Sequence, residues 1–144
     1  MKTKKITEEA DLQEAFRIRR AIFVEEQKVP LEDEFDEFDS LSSECDHVLV
    51  IYDNAPAGTG RIRTVDDAGK LERICILKPY RSFGLGKEIV KGLEEIAAEK
   101  ELSKVKLHGQ THAEGFYQKL GYETVSDPFM EDGIPHIVMV KEIT

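Results

Sequence analysis

An arginine, two glycines and a lysine stand close together in Pro79-Tyr-Arg-Ser-Phe-Gly-Leu-Gly-Lys87, between an apolar run and the most regular amphipathic stretch of the chain. The chemistry such a turn offers is anion binding. A helix start leaves its first amides without internal partners and concentrates positive partial charge there. Gly84 and Gly86 remove side chains where a phosphate must approach the backbone, and Arg81 and Lys87 add charge on either side. Single residues exclude two other phosphate motifs. A Walker loop requires Gly at 81 and Ser or Thr at 88, where this chain has Arg81 and Glu88, and a dinucleotide fingerprint requires Gly at 89, where it has Ile89. A strand-to-helix turn merely shaped by its glycines is the alternative.

Other reactive residue types are less organised. Cys45 and Cys75 show neither CxxC spacing nor a cluster of His partners, so no zinc site or disulfide framework is indicated. Cys75 lies inside Ile74-Cys-Ile-Leu77, where a small buried thiol is expected before an acyl carrier. His108 and His112 flank a later turn and could relay a proton, a surface or helix-start histidine being the plainer reading. His47 and His136 belong to no motif. Residues 31–46 hold eight acids (Glu32, Asp33, Glu34, Asp36, Glu37, Asp39, Glu44, Asp46) and no Lys or Arg. Taking those eight from the 29 acids leaves 21 against 20 bases, so one segment carries nearly all of the net charge of −9. It reads either as a solvated loop pinned by Phe35 and Phe38 or as a negative wall that draws a cationic amine. Asp33, Asp36 and Asp39 lack the spacing and central glycine of a calcium loop, and no metal is expected. Nucleic acid would be repelled.

The elements that must hold these residues fit a single domain over 1–144. A first helix is expected over 8–27, capped by Thr7, with Leu12, Phe16, Ile22 and Phe23 near helical spacing and Pro30 beyond its end. Strands are expected over 47–52, 58–65 and 71–77, separated by turns at 54–56 and 66–69 and joined as antiparallel hairpins. The clearest helix follows the glycine turn, with Leu85, Ile89, Leu93, Ile96 and Ala97 on one stripe. A strand over 104–108, a short helix opened by the capping box Thr111-His-Ala-Glu114 and stopped by Gly121, and strands over 122–125 and 137–140 complete the order β-α-β-β-β-α-β-α-β-β. That order indicates a mixed α/β fold with a helix-covered sheet.

Taken together, these segments resemble the GNAT superfamily of N-acetyltransferases, in a small bacterial single-domain branch. The family's acyl-coenzyme A loop has the form Arg/Gln-x-x-Gly-x-Gly/Ala, matched at 81–86. Residues 71–77 look like its cofactor-lining strand, and Gln110-x-x-Ala113-x-x-Phe116-Tyr-Gln-Lys-Leu-Gly-Tyr122 looks like its C-terminal signature, with Gln110 where many members carry Asn. Phe23-Val-x-Glu-Gln-x-Val-Pro30 and Glu34-Phe-Asp-Glu-Phe-Asp39 resemble a branch of bacterial members whose substrates are mostly unassigned. The match covers essentially the whole chain, in order and at the right spacing.

The resemblance implies an α/β (α+β) fold, a mostly antiparallel central sheet with helices on both faces. It implies direct transfer of acetyl from acetyl-coenzyme A to a primary amine of a small molecule, amino sugar or peptide. Backbone groups of Ile74 and Ile76 would meet the pantetheine arm. The amides of Ser82, Phe83, Gly84, Leu85, Gly86 and Lys87 would hold the pyrophosphate beside Arg81, and Gln110 would contact cofactor or water. An alkylammonium, pKa about 10.4, must lose a proton before attack, at a cost of roughly 4–5 kcal/mol at pH 7, and the departing thiolate must gain one. Tyr117, where the signature has its tyrosine, is the implied acid, with an ordinary packing aromatic as the alternative. Glu72 is the implied base, with a strand Glu paired to Arg61 or Arg73 as the alternative. A coenzyme A-binding sensor without turnover is the competing function. The sequence has no apolar run near the ~20 residues of a membrane span and no apolar middle region of a secretory signal, so a cytoplasmic, non-membrane protein is expected. Such domains often form homodimers.

Overall fold

Val48, Leu49 and Val50 are all buried, although successive side chains of a strand point to opposite faces. The sheet containing them is therefore covered on both sides. Val48 and Val50 join the larger of two cores, and Leu49 joins the other. In the computed structural model, which describes residues 2–41 and 44–143, this sheet has eight strands: β1 Lys2–Lys5, β2 Cys45–Tyr52, β3 Ala55–Val65, β4 Ala68–Ile76, β5 Lys104–Gln110, β6 Glu123–Thr124, β7 Phe129–Glu131 and β8 Ile134–Glu142. Their order is β1-β2-β3-β4-β5-β8-β6, with β7 also on β8. Every pairing is antiparallel except β4 with β5. The expected mixed, mostly antiparallel fold is thus observed. Met1, Ser42, Ser43 and Thr144 of the expected 1–144 unit lie outside the described residues.

Helix α1 (Glu9–Arg19) buries Leu12, Ala15 and Ile18 against Leu49 and Cys75 on one face. Helix α3 (Leu85–Glu99) buries its apolar stripe against the other. It approaches so closely that a Cβ on Gly60 of β3 would lie 2.8 Å from Ile89 Cγ2. Helices α2 (Leu31–Glu34) and α4 (Glu114–Lys119) are single short segments. No helix among the described residues is long and apolar enough to cross a membrane.

Several boundaries differ from expectation for local reasons. Thr7 does not cap α1: Glu8 is the extended flanking residue, and no side chain caps the helix. The expected single helix over 8–27 is α-helical only to Arg19 and continues in wider π-helical turns over Arg20–Glu26, closed by the Gln27 N–H on the Ile22 carbonyl at 2.8 Å. The capping box at Thr111 does not form. Thr111–Ala113 make one 3₁₀ turn, and Glu114 instead accepts a hydrogen bond from Thr124 Oγ1. Gly121, at φ +97°, does end α4. The first hairpin turns on Asp53 and Asn54 alone, both at positive φ, and Pro56 lies in β3 opposite Ile51, where the register shifts. A bulge tolerates a residue that cannot donate. The β7–β8 hairpin, turning on Asp132 and Gly133 at positive φ, lies outside the expected strands, since a three-residue strand carries too little alternation to register.

Within the acidic segment, Glu34, Asp36 and Asp39 are tied to arginines, while Glu32, Asp33 and Glu44 are exposed. Arg19 Nε donates to Glu34 at 2.9 Å, and Asp39 accepts from Arg19 at 2.6 Å and from Arg61 at 2.9 Å. Asp36 takes both terminal nitrogens of Arg61 at 2.8 Å. Arg19 and Arg61 are each 1% exposed. Phe35 and Phe38 do pin the segment, by lying under guanidinium groups: Arg19 is 4.8 Å from the Phe35 centroid and Arg63 is 4.5 Å from that of Phe38. The charges of Asp36 and Asp39 are spent inside the molecule.

Burial would raise the Asp36 pKa, but hydrogen bonds and charge from Arg61 outweigh it and hold the group at about 2. A carboxylate depressed on folding stabilises above the unfolded-chain range near 4, and that stability is lost as pH falls toward about 2. Thermal unfolding should therefore show a midpoint falling steeply between about pH 4 and pH 2. Arg61→Met, which takes the bidentate partner from Asp36 and one cation each from Asp39 and Glu72, should cost about 3–5 kcal/mol in urea unfolding at pH 7.

Candidate active site

Strands β4 and β5 pair over only three positions, from Gly69 with Val105 to Leu71 with Leu107, although both run further. The cause lies on the other edge of β4. Arg61 of β3 faces Glu72 and Thr59 faces Cys75, so Arg73 and Ile74 together oppose Gly60, with Arg73 at φ +56°. Such a bulge bends its strand. Beyond it the two strands part, and a cleft of about 880 Å³ opens between them, lined by Ile76, Arg81, His108, Gln110, Tyr117 and Glu131 among others.

The open edge of β4 is the backbone that the sequence singled out. The Leu77 N–H donates to Ala57 of β3 at 2.8 Å, so the alternation of a strand turns the amides of Ile76 and Ile74 the other way, toward the cleft. Arg81 is tied in at this edge. Its Nε donates to the Ile76 carbonyl at 2.8 Å, and its two terminal nitrogens grip Glu26 of the π-helical turns at 2.7 Å each. Arg81 thus joins the strand to the chain across the cleft, with its charge paired to Glu26.

Past Arg81, Gly84 stands immediately before α3 at φ +75°, and a Cβ there would meet nothing within 4 Å. The amides of Leu85, Gly86 and Lys87 begin the helix and have no carbonyl four residues back within it. The Phe83 amide is spent on Tyr80 at 3.4 Å, and its ring stacks on Tyr52 at 4.8 Å. Ser82 is exposed in the turn, whereas Leu85 is fully buried and offers only its backbone. The two glycines prove different. A Cβ on Gly86 would lie 3.0 Å from Phe116 Cζ, so Gly86 makes room for α4. Gly84 is the open one. Gln110 donates to Gln27 at 2.9 Å and accepts from His112 at 2.7 Å, which makes it a tie across the rim.

Tyr117 is packed into the core and also reaches the cleft. Its ring packs edge-on to Phe116 and Tyr122 and fits against Gly109, where a Cβ would come within 3.4 Å of it. Its hydroxyl makes no hydrogen bond among the described residues, and the side chain lines the cleft. Burial pushes its pKa up to about 12, so it holds its proton at neutral pH. Glu72 fails as the base. Arg61 and Arg63 each donate Nε to it, at 3.1 and 3.0 Å, and Lys70 lies at 3.1 Å. Burial alone would raise its pKa, but these cations hold it at about 2, so it takes no proton near neutrality. Cys75 is inert, since burial lifts its thiol far above the ordinary range.

One group escaped the sequence reading. His108 Nδ1 lies 3.0 Å from Glu131 Oε1, and His136 Nε2 lies 3.7 Å from the other oxygen. His136 Nδ1 donates to the Ile134 carbonyl at 2.7 Å. The sequence shows His108 with His112 as a possible relay but links neither to Glu131 or His136. Glu131 and His136 reach it only through the β7–β8 hairpin and the register of β8 on β5, which pairs His136 with Gln110.

Comparison with known proteins agrees with this geometry. The acetyltransferase (GNAT) domain family matches residues 20–143. The uncharacterized Bacillus subtilis protein YyaT is 64% identical over 144 residues, covering 100% of this chain and 97% of that one. The uncharacterized N-acetyltransferase YjcF of the same organism is 46% identical, covering 93% and 94%. The crystal structure of an acyl-CoA N-acyltransferase from Pseudomonas aeruginosa superposes with a TM-score of 0.85 at 24% identity, covering 98% and 99%.

The open space at Gly84 yields a clean test. Gly84→Ala should fold with native circular dichroism, at a cost of roughly 1–2 kcal/mol for its left-handed backbone, and weaken coenzyme A binding in calorimetry by at least about tenfold.

Proposed function

Because the chain belongs to the GNAT acetyltransferase family, whose chemistry is acyl transfer from coenzyme A, we propose that it moves an acetyl group from acetyl-coenzyme A to a primary amine by direct attack within the cleft between β4 and β5. The observation that carries this reading is the Tyr117 hydroxyl, buried, protonated and unbonded among the described residues, beside the one unpaired edge of β4. Residues suited to the cofactor are present along one line. The amides of Ile74 and Ile76 suit an extended amide-bearing arm, and the helix start behind Gly84 suits a pyrophosphate. Bound acetyl-coenzyme A would supply an activated thioester carbonyl.

The acceptor is proposed to be cationic. Asp33 and Asp132 line the cleft and make no ion pair among the described residues, unlike Asp36 and Asp39. They suit an ammonium on a polyamine, an amino sugar or a peptide. Tyr117 protonates the leaving sulfur. A phenol does this without creating an ion in the buried site until the sulfur itself has become basic.

Thiol release from acetyl-coenzyme A against amines, polyamines, amino sugars and peptides tests the activity directly. With an accepted amine, Tyr117→Phe should lower kcat by about 10²–10⁴-fold and kcat/KM with it, while coenzyme A affinity stays unchanged. A wild-type rate in that variant, with chemistry limiting, would make Tyr117 a packing residue.

A further inference from the structure

We propose that His108 is the general base that deprotonates the acceptor ammonium, with Glu131 as the positioning residue that fixes its ring. The proposal rests on the acetyl-transfer reading and supplies the group that Glu72 cannot be. The Nδ1–Glu131 contact at 3.0 Å fixes Nδ1 as the protonated nitrogen of the neutral ring, which leaves Nε2 with its lone pair and no hydrogen bond among the described residues. The ring is held besides by Phe129, edge-on at 5.2 Å, and that phenyl also lies against His136.

The faces of the sheet place His108 opposite the acid. The missing Cβ of Gly109 points at the Tyr117 ring, and neighbouring residues of a strand alternate, so His108 projects from the other face of β5. The splay of β4 from β5 is the passage that joins the two. Charged and titratable groups sharing His108's surroundings are Glu131 of β7, Asp132 of the hairpin turn, His136 of β8, Lys70 and Glu72 of β4, and His112 beyond the strand. Of these, Lys70 and Glu72 neutralise one another, and only Glu131 contacts the His108 ring.

The protons balance. His108 Nε2 takes one from the ammonium, and the freed nitrogen lone pair forms the C–N bond. The C–S bond breaks as the Tyr117 hydroxyl gives its proton to sulfur. The nitrogen's surplus proton returns to the Tyr117 oxygen, and the imidazolium releases its own to solvent. One thioester and one ammonium become an amide, a thiol and a proton.

With an accepted amine, His108→Asn should lower kcat at pH 7 by about 10²–10⁴-fold with coenzyme A affinity and circular dichroism unchanged. The deficit should shrink as pH approaches the acceptor's own pKa, where free amine needs no base, and added imidazole should restore part of the rate. A second measurement needs no turnover. Nitrogen-15 NMR of the neutral His108 ring should show the proton on Nδ1, and Glu131→Leu should populate the other tautomer. A His108→Asn enzyme with wild-type kcat, or with a deficit equal at every pH, overturns the base while leaving the acetyltransferase intact. Wild-type protein that releases no thiol with any amine overturns both.

Discussion

A backbone amide can serve one partner, and in a sheet both edges of an internal strand are ordinarily committed to neighbours. The cleft exists because β4 pairs with β5 for three residues and then stops. Everything that follows depends on that failure of pairing. It frees the Ile74 and Ile76 amides, lets side chains from both faces of the sheet meet in one space, and sets the glycine turn at the end of a strand with an open flank.

The departure is held in place by charge. A non-glycine residue at positive φ, such as Arg73, costs on the order of 1–3 kcal/mol and persists only when its surroundings determine it. Arg73 donates to the Glu34 carbonyl at 3.3 Å and lies equally close to that residue's carboxylate. Arg61 and Glu72, which flank the bulge across β3 and β4, are hydrogen-bonded to each other. The buried arginine–carboxylate network is thus laid over the bend in β4. Glu34, Asp36 and Asp39 of the acidic segment, the most conspicuous feature of the composition, belong to this scaffold. A network so complete also explains why a carboxylate in the cleft wall is unavailable to the chemistry.

The proposed acid and the proposed base are thereby separated by the sheet itself. Tyr117 reaches the cleft from the side of α3 and α4, through the space left by Gly109, and the His108–Glu131 pair reaches it from the side of the β7–β8 hairpin. A proton donor raised by burial and an imidazole oriented by a carboxylate occupy opposite ends of one passage. The proposed reaction, which loses a proton at nitrogen and gains one at sulfur, calls for such a separation.

The sequence by itself determined what is local. The Arg81 to Gly86 turn, the apolar stripe of α3 and the position of Tyr117 after Ala113 and Phe116 are set by residues a few places apart, and each was legible as an element, whereas the room that Gly86 makes for α4 and the pairing of Arg81 with Glu26 were not. The order of elements followed from the same periodicities, and with the resemblance they implied, the fold. Tertiary structure alone decided which charges remain free. Glu72 was a plausible base until Arg61, Arg63 and Lys70 closed on it, and Asp36 and Asp39 were a plausible steering wall until Arg19 and Arg61 consumed them. Arg19, Asp39, Arg61 and Glu72 are up to 53 positions apart in the chain. Likewise Glu131 meets His108 only because a three-residue strand pairs with β8 in one register. The energy of a charge depends on its partners within a few ångströms, and those partners are chosen by the packing of distant segments, which no short spacing in the sequence records.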